Sequence, residues 1–298
     1  MKEFDFKKID AFATINSGGN PAGYVLLNSA DDISVDEMQH MARELKGFVN
    51  EVGYVYRSSE NQIDMKYYSS EREVDFCGHA TVAIMYDLLI NDTSLQQFET
   101  LKIKTNRGLL KAENRIKTEN AVFIFSPEPF ENETIPTLID IATNLNITPN
   151  LIDDRFPICI INAGLSTLLV PIVNLESILS ISPDLKQLKD FCFANGIDII
   201  HVFSSEVADK NSNYRTRVFA PTFGYIEDPA TGSGNSAFGY YLLKNNLWKG
   251  ETVSIEQNGL KNNFNVVKLQ KQIDENGNTR ILFGGAAIIR IEGKYQLH

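Results

Sequence analysis

The sequence is poor in the residues that staple small folds or hold structural metals. Only three of its 298 residues are cysteine, Cys77, Cys159 and Cys192, odd in number and far apart. That argues against a disulfide framework and for a reducing compartment, so a cytoplasmic protein is expected. The four histidines, His40, His79, His201 and His298, add no ligand pair of C-x-x-C or H-x3-H spacing. Only Cys77 and His79 are neighbours, and no metal is expected. Positive charge is scarce as well: 28 Lys and Arg face 38 Asp and Glu, giving a formal net charge of -10. A net anion is not drawn to nucleic acid or to an anionic membrane, so neither is an expected partner. A small anionic substrate stays open, because a pocket can be locally positive. No apolar run approaches a bilayer span. The opening MKEFDFKKIDAF alternates charged and apolar residues and lacks the apolar core of a secretion signal. There is no low-complexity tract.

What is present suits a soluble protein of two domains, or one large one, since 43% of residues are hydrophobic. FDFKKIDAFAT reads as a first strand, NSGGNPAG as a glycine-rich loop, and YVLLN as a second strand. Ser34 to Glu37 forms a capping box, and Met38, Met41, Ala42 and Leu45 follow at helical spacing as a buried face. VNEVGYVYR and QIDMKYYSS read as strands, and EVDFCGHATVAIMYDLL as a turn at Cys77-Gly78 followed by a helix. Further on, SPDLKQLKDFCFANG reads as a helix capped by Ser182 and stopped by Gly196. Cys159 and Cys192 fall in apolar runs and read as core, and His201 inside DIIHVF as a hydrogen-bonded strand histidine.

The chain contains a repeat. CGHATVAIMYDLL, from Cys77, aligns without a gap over TGSGNSAFGYYLL, from Thr231, and each follows an aromatic, β-rich segment. Each copy is a strand, a glycine turn and a helix. The unpaired N–H groups and positive dipole of a helix start bind anions. Two such starts facing one cleft would hold a small acid between Cys77 and His79 on one side and Asp228, Thr231 and Ser233 on the other. That arrangement suits proton transfer at a carbon next to a carboxylate.

Four segments carry a family resemblance: GNPAGYVLL from Gly19, NEVGYVY from Asn50, EVDFCGHAT and EDPATGSGN. In that order they resemble the motifs of the PhzF family of phenazine-biosynthesis-like proteins, which shares the diaminopimelate epimerase fold. The resemblance implies an α+β fold of two similar domains, each a curled, barrel-like sheet around a central helix, with the active site between them. The domains are expected at 1–128, completed by a C-terminal strand near 288–298, and at 129–287. It also implies a homodimer and isomerisation without metal or PLP, in which a glutamate moves a proton within a small carboxylic acid. Carried over residue by residue, Glu51 is the acid/base group, and His79 and Asp228 position the substrate and set protonation states. Ser233 holds a polar group of the substrate with the backbone N–H groups of Gly78 and Gly232, and Asn20 lines the same cleft. The residues around Glu51 depart from the family's more usual S-E-T-A-F.

Each of these residues has a plainer reading. Glu51 could be a solvated strand-end carboxylate, His79 a helix-start histidine bonded to backbone, and Asp228 and Ser233 ordinary helix caps. Cys77 is the sharpest case. Epimerases and racemases of this fold place one thiol on each turn, but here Thr231 stands opposite Cys77. A threonine hydroxyl is far too weak an acid to replace a thiol. Cys77 is therefore expected to be a buried turn residue, at most touching substrate, and Thr231 to be structural. An amino- or imino-acid epimerase and a non-catalytic small-molecule binder are the alternative functions.

Overall fold

A computed structural model of the chain describes residues 2–132 and 134–298. The chain divides into two compact units, Met1–Phe125 with Gly284–His298, and Ser126–Phe283. Among the described residues no helix is long and apolar enough to cross a membrane.

The first unit contains β1 (Lys2–Ala11), β2 (Asn20–Leu26), β3 (Glu51–Ser59), β4 (Gln62–Ser69), β5 (Glu73–Val74), β6 (Thr100–Thr105), β7 (Gly108–Arg115) and β8 (Ala121–Phe125). The strand β18 (Ala287–Leu297) returns to pair antiparallel with β1 from Lys2↔Leu297 to Ala11↔Ala287. On its other edge β1 is antiparallel to β2. The pairs β2–β3 and β4–β6 are parallel; β3–β4, β4–β5, β6–β7 and β7–β8 are antiparallel. Three helices complete the unit: α1 (Val35–Glu44), α2 (Gly78–Asn91) and α3 (Ile116–Glu119).

Side chains alternate across a strand, and β3 shows which helix lies on which face. Val52 and Tyr54 join the core beneath α1, whose Met38, Met41 and Ala42 are buried there. Gly53 faces α2, and a methyl group at that position would sit 2.5 Å from Ile84 Cδ1. The α2 helix is buried without a break from His79 to Leu89, as an all-round apolar helix must be. The capping box at Ser34 is present, with Glu37 N–H donating to Ser34 Oγ and Ser34 N–H to Glu37 Oε2.

The second unit repeats this topology. Its strands are β9 (Phe130–Asn132), β10 (Cys159–Asn162), β11 (Ser166–Pro171), β12 (Ile199–Ser204), β13 (Tyr214–Phe219), β14 (Glu227–Asp228), β15 (Val253–Gln257), β16 (Asn265–Ile273) and β17 (Thr279–Gly285). The parallel pairs are β11–β12 and β13–β15; β10–β11, β12–β13, β13–β14 and β15–β16 are antiparallel. Its helices are α4 (Leu138–Asn144), α5 (Leu175–Ser180), α6 (Leu185–Ala194) and α7 (Gly232–Lys244). Ile200 and Val202 pack with α4, α5 and α6, whereas His201 and Phe203 stack against Phe238 of α7. The sequence thus folds twice into a sheet with one buried central helix, the α+β class expected.

Two local expectations change. β2 begins at Asn20, so NPAG is strand; Pro21 sits next to its start, where a missing N–H costs little. The cap of α6 is Asp184, whose side chain accepts from Gln187 N–H; Ser182 lies two residues too early, before Pro183.

Candidate active site

Glu51 opens β3, and His79 is the second residue of α2. Cys77 is the N-cap of α2, in extended backbone (φ -126°, ψ 107°), but its side chain makes no cap bond. Its sulfur turns instead to His79, with Sγ 3.4 Å from Nδ1. It is also 3.8 Å from Nε2, which lies 3.2 Å from Glu51 Oε2. The separation is that of an ion pair, but the contact lacks hydrogen-bond geometry, so buried Oε2 has no hydrogen-bond donor among the described residues. Thr81 pins the turn by donating to the Cys77 carbonyl at 2.6 Å, and Tyr67 Oη lies 2.6 Å from Thr81 Oγ1. Asn20 is tied to the start of β3, because Asn50 Nδ2 donates to its Oδ1 at 3.0 Å.

Burial pushes the Cys77 thiol above its ordinary range. For His79, burial opposes the charged ring, while Cys77 and then Glu51 favour it; the balance holds its pKa well above the ordinary value. Glu51 faces the ring at 3.2 Å, and a buried carboxyl oxygen lacking a hydrogen-bond donor is placed to take up a proton.

In the second unit the turn is built differently. Thr231 caps α7 in extended backbone, again without a cap bond from its side chain. Its Oγ1 donates to Asp228 Oδ2 at 2.5 Å. The plainer reading of Asp228 and Ser233 as caps therefore fails: Asp228 is engaged by Thr231, and Ser233 is the second residue within the helix. Gly232 is required by packing, since a methyl group there would run into the Phe283 ring. At the start of α7, as of α2, the leading N–H groups have no helical carbonyl behind them and can receive an anion. His201 is only half satisfied: Nε2 meets Asn235 Oδ1 at 3.2 Å, and buried Nδ1 has no hydrogen-bond partner among the described residues. Burial lowers its pKa to about 4, so the ring is neutral.

The registers show that the two turns have diverged. Tyr67 pairs with Val74 and Val218 with Asp228, so Val74 stands in the first unit where Asp228 stands in the second. Tyr67 also pairs with Gly53, and Val218 with His201. Two residues earlier, Glu51 matches Ile199. The candidate carboxylates of the two units thus lie on different strands, Glu51 on β3 and Asp228 on β14. Sequence reasoning overlooked Asn50, Tyr67, Thr81, Asn235 and Gln257. A signal existed for one pair: Thr81 and Asn235 share a repeat position, and both bond the carbonyl of their N-cap residue.

The donor atoms of Glu51, Cys77 and His79 lie within 4.8 Å of one another, close enough for a metal. Metal ligation would require a thiolate and a free imidazole lone pair. Burial of Cys77 and the charged state of His79 favour protons in both places.

A family model described as phenazine biosynthesis-like protein, PhzC-PhzF, matches residues 9–293. The uncharacterized isomerase YfhB of Bacillus subtilis is 31% identical over 246 residues, covering 81% of this chain and 82% of that protein. The trans-2,3-dihydro-3-hydroxyanthranilate isomerase of Pseudomonas chlororaphis is 24% identical over 245 residues, covering 79% of this chain and 78% of that one. The crystal structure of a PhzF-family phenazine biosynthesis protein from Bacillus anthracis superposes with a TM-score of 0.86 at 26% identity, covering 99% of this chain and 100% of that chain. On this match from the first strand to the last, the chain belongs to the PhzC-PhzF family of phenazine biosynthesis-like proteins.

Proposed function

We propose that the protein is an isomerase that moves a proton within a small carboxylic acid, using its own side chains and no cofactor. One observation carries this reading: Glu51 Oε2 is buried, lacks a hydrogen-bond donor and faces His79 Nε2 at 3.2 Å. Glu51 carries the proton, and His79 keeps the opposing charge and orients the acceptor. The family motifs assign substrate binding to Asn20 and the Gly78 N–H group in the first unit, and to Asp228, Ser233 and the Gly232 N–H group in the second. The names of the similar proteins, isomerases among them, support this class. An epimerase that needs a thiol on each turn is disfavoured, because the Thr231 hydroxyl proton is already committed to Asp228.

The test is proton exchange with solvent. Trans-2,3-dihydro-3-hydroxyanthranilate is the first probe, followed by cyclic amino and imino acids, each incubated with protein in D2O. Deuterium should enter at carbon with the wild type and fall by roughly 10²–10⁴-fold in Glu51→Gln. Undiminished incorporation in that variant sinks the role of Glu51. Saturable binding without exchange points to a non-catalytic binder.

A further inference from the structure

The turn that carries Asp228 is held by a buried amide that the first unit lacks. Gln257, the last residue of β15, is fully buried and uses all its hydrogen-bonding capacity there. Its Oε1 accepts from Thr231 N–H at 3.0 Å and from Asn235 Nδ2 at 2.6 Å. Its Nε2 donates to the Asp228 carbonyl at 2.9 Å and to Thr231 Oγ1 at 3.0 Å.

The direction of these bonds is dictated from one end. A backbone N–H can only donate, so the oxygen of the amide must face Thr231 N–H. The NH2 group then faces Thr231 Oγ1, which has to accept. The hydroxyl proton of Thr231 is thereby left for Asp228 Oδ2. Asn235 supports the same orientation, because its amide donates to Thr231 O and Gln257 Oε1 and leaves Oδ1 for His201 Nε2.

The duplicated topology supplies a control. Asp64 pairs with Lys104 across β4 and β6, and Arg215 with Glu256 across β13 and β15. One residue further, Thr105 occupies the place of Gln257. Its hydroxyl serves its own hairpin, at Gly108 O and Arg107 N–H, and among the described residues it is not bonded to the Cys77 turn. Among the described residues, the reaching amide is found in the unit whose turn carries Asp228, and not in the one that carries Val74 at the matching place.

We infer that Gln257 is a positioning residue: it sets the direction of the Thr231 hydroxyl and so holds Asp228 as a hydrogen-bonded acceptor facing the substrate. The catalytic part of this inference rests on the function proposed above; the orientation of the turn does not.

The test compares Gln257→Glu, Gln257→Leu, Thr231→Val and the control Thr105→Val by two readouts. Backbone hydrogen exchange across residues 228–235 needs no substrate. Gln257→Leu, which removes the acceptor of Thr231 N–H, should speed exchange in that turn by about tenfold or more, and Thr105→Val should leave it unchanged. The second readout is kcat and KM for deuterium incorporation into trans-2,3-dihydro-3-hydroxyanthranilate. Gln257→Glu keeps the acceptor but turns the Thr231 hydroxyl away from Asp228, so kcat should fall by about tenfold with KM little changed. On the Thr231→Val background the same change should have little further effect, since both act through one hydroxyl. Wild-type kcat in Gln257→Glu, or losses that multiply in the double variant, overturns the inference. If Gln257→Glu does not fold, the exchange of Gln257→Leu decides, and unchanged protection of the turn overturns the anchoring. A wild type that exchanges no substrate proton defeats the functional reading, and hydrogen exchange then decides the role of Gln257.

Discussion

Glu51 Oε2 and His79 Nε2 lie 3.2 Å apart inside the first unit, and Cys77 Sγ approaches the same imidazole at 3.4 Å from Nδ1 and 3.8 Å from Nε2. One ring thus meets both a carboxylate oxygen that lacks a hydrogen-bond donor among the described residues and the buried thiol of the turn, and the three groups cluster within 4.8 Å. The carboxylate oxygen is the atom left open to a proton, and the thiol is a neighbour of the charged ring.

His79 should remain an imidazolium well above the ordinary histidine range. A pKa higher in the folded than in the unfolded protein stabilises the fold fully below the unfolded value, and that contribution is lost as pH rises through the folded one. Histidine NMR titration checks the charge, and urea unfolding across the same pH range checks the linkage. Cys77→Ala and Glu51→Gln should each bring the midpoint down, because both neighbours favour the charged ring.

Cys77 should react sluggishly. Burial raises its pKa and limits access, so alkylation by iodoacetamide is expected to be about 10²-fold slower than in the unfolded chain. Cys77→Ser should keep proton exchange within about tenfold of wild type. Loss of exchange in Cys77→Ser, matched by rapid inactivation on alkylation, would restore the thiol as an acid/base group.

Gly232→Ala should destabilise the second unit. Its added methyl group meets the Phe283 ring, and such overpacking costs about 1–3 kcal/mol. Urea unfolding measures the loss, and Phe283→Leu in the same chain should recover part of it by making room.

Arg215→Met should be among the most destabilising changes. Arg215 and Glu256 are both fully buried, paired at 3.1 Å, and the guanidinium also donates to the carbonyls of Asn258 and Leu260. Removing one partner of a buried pair costs about 3–5 kcal/mol, because the other charge is stranded. The midpoint of chemical denaturation should fall accordingly.

Much of the fold could be read from local pattern. The alignment of CGHAT over TGSGN located both central helices, and the capping box at Ser34 and the methionines behind it located α1. Glu51 and His79 came from motif resemblance, yet their contact joins a strand to a helix start 28 positions on, and no periodicity encodes it. Gln257 left no trace at all. It is an ordinary polar residue ending a strand, and its role appears only when β13 and β15 set it beside the turn. The swapped charges of Asp64–Lys104 and Arg215–Glu256 were hidden for the same reason, since each pair is created by strand register.

The pairing of β1 with β18 bears on the order in which the molecule can be built. The second unit is one uninterrupted stretch of chain, complete once Phe283 has been made. The first unit, although translated earlier, lacks a partner for one edge of its opening strand until Leu297 has left the ribosome. Synthesis therefore finishes the halves in reverse of their sequence order, and the growing chain carries an open strand edge until β18 has been made, a state exposed to mispairing with other nascent chains.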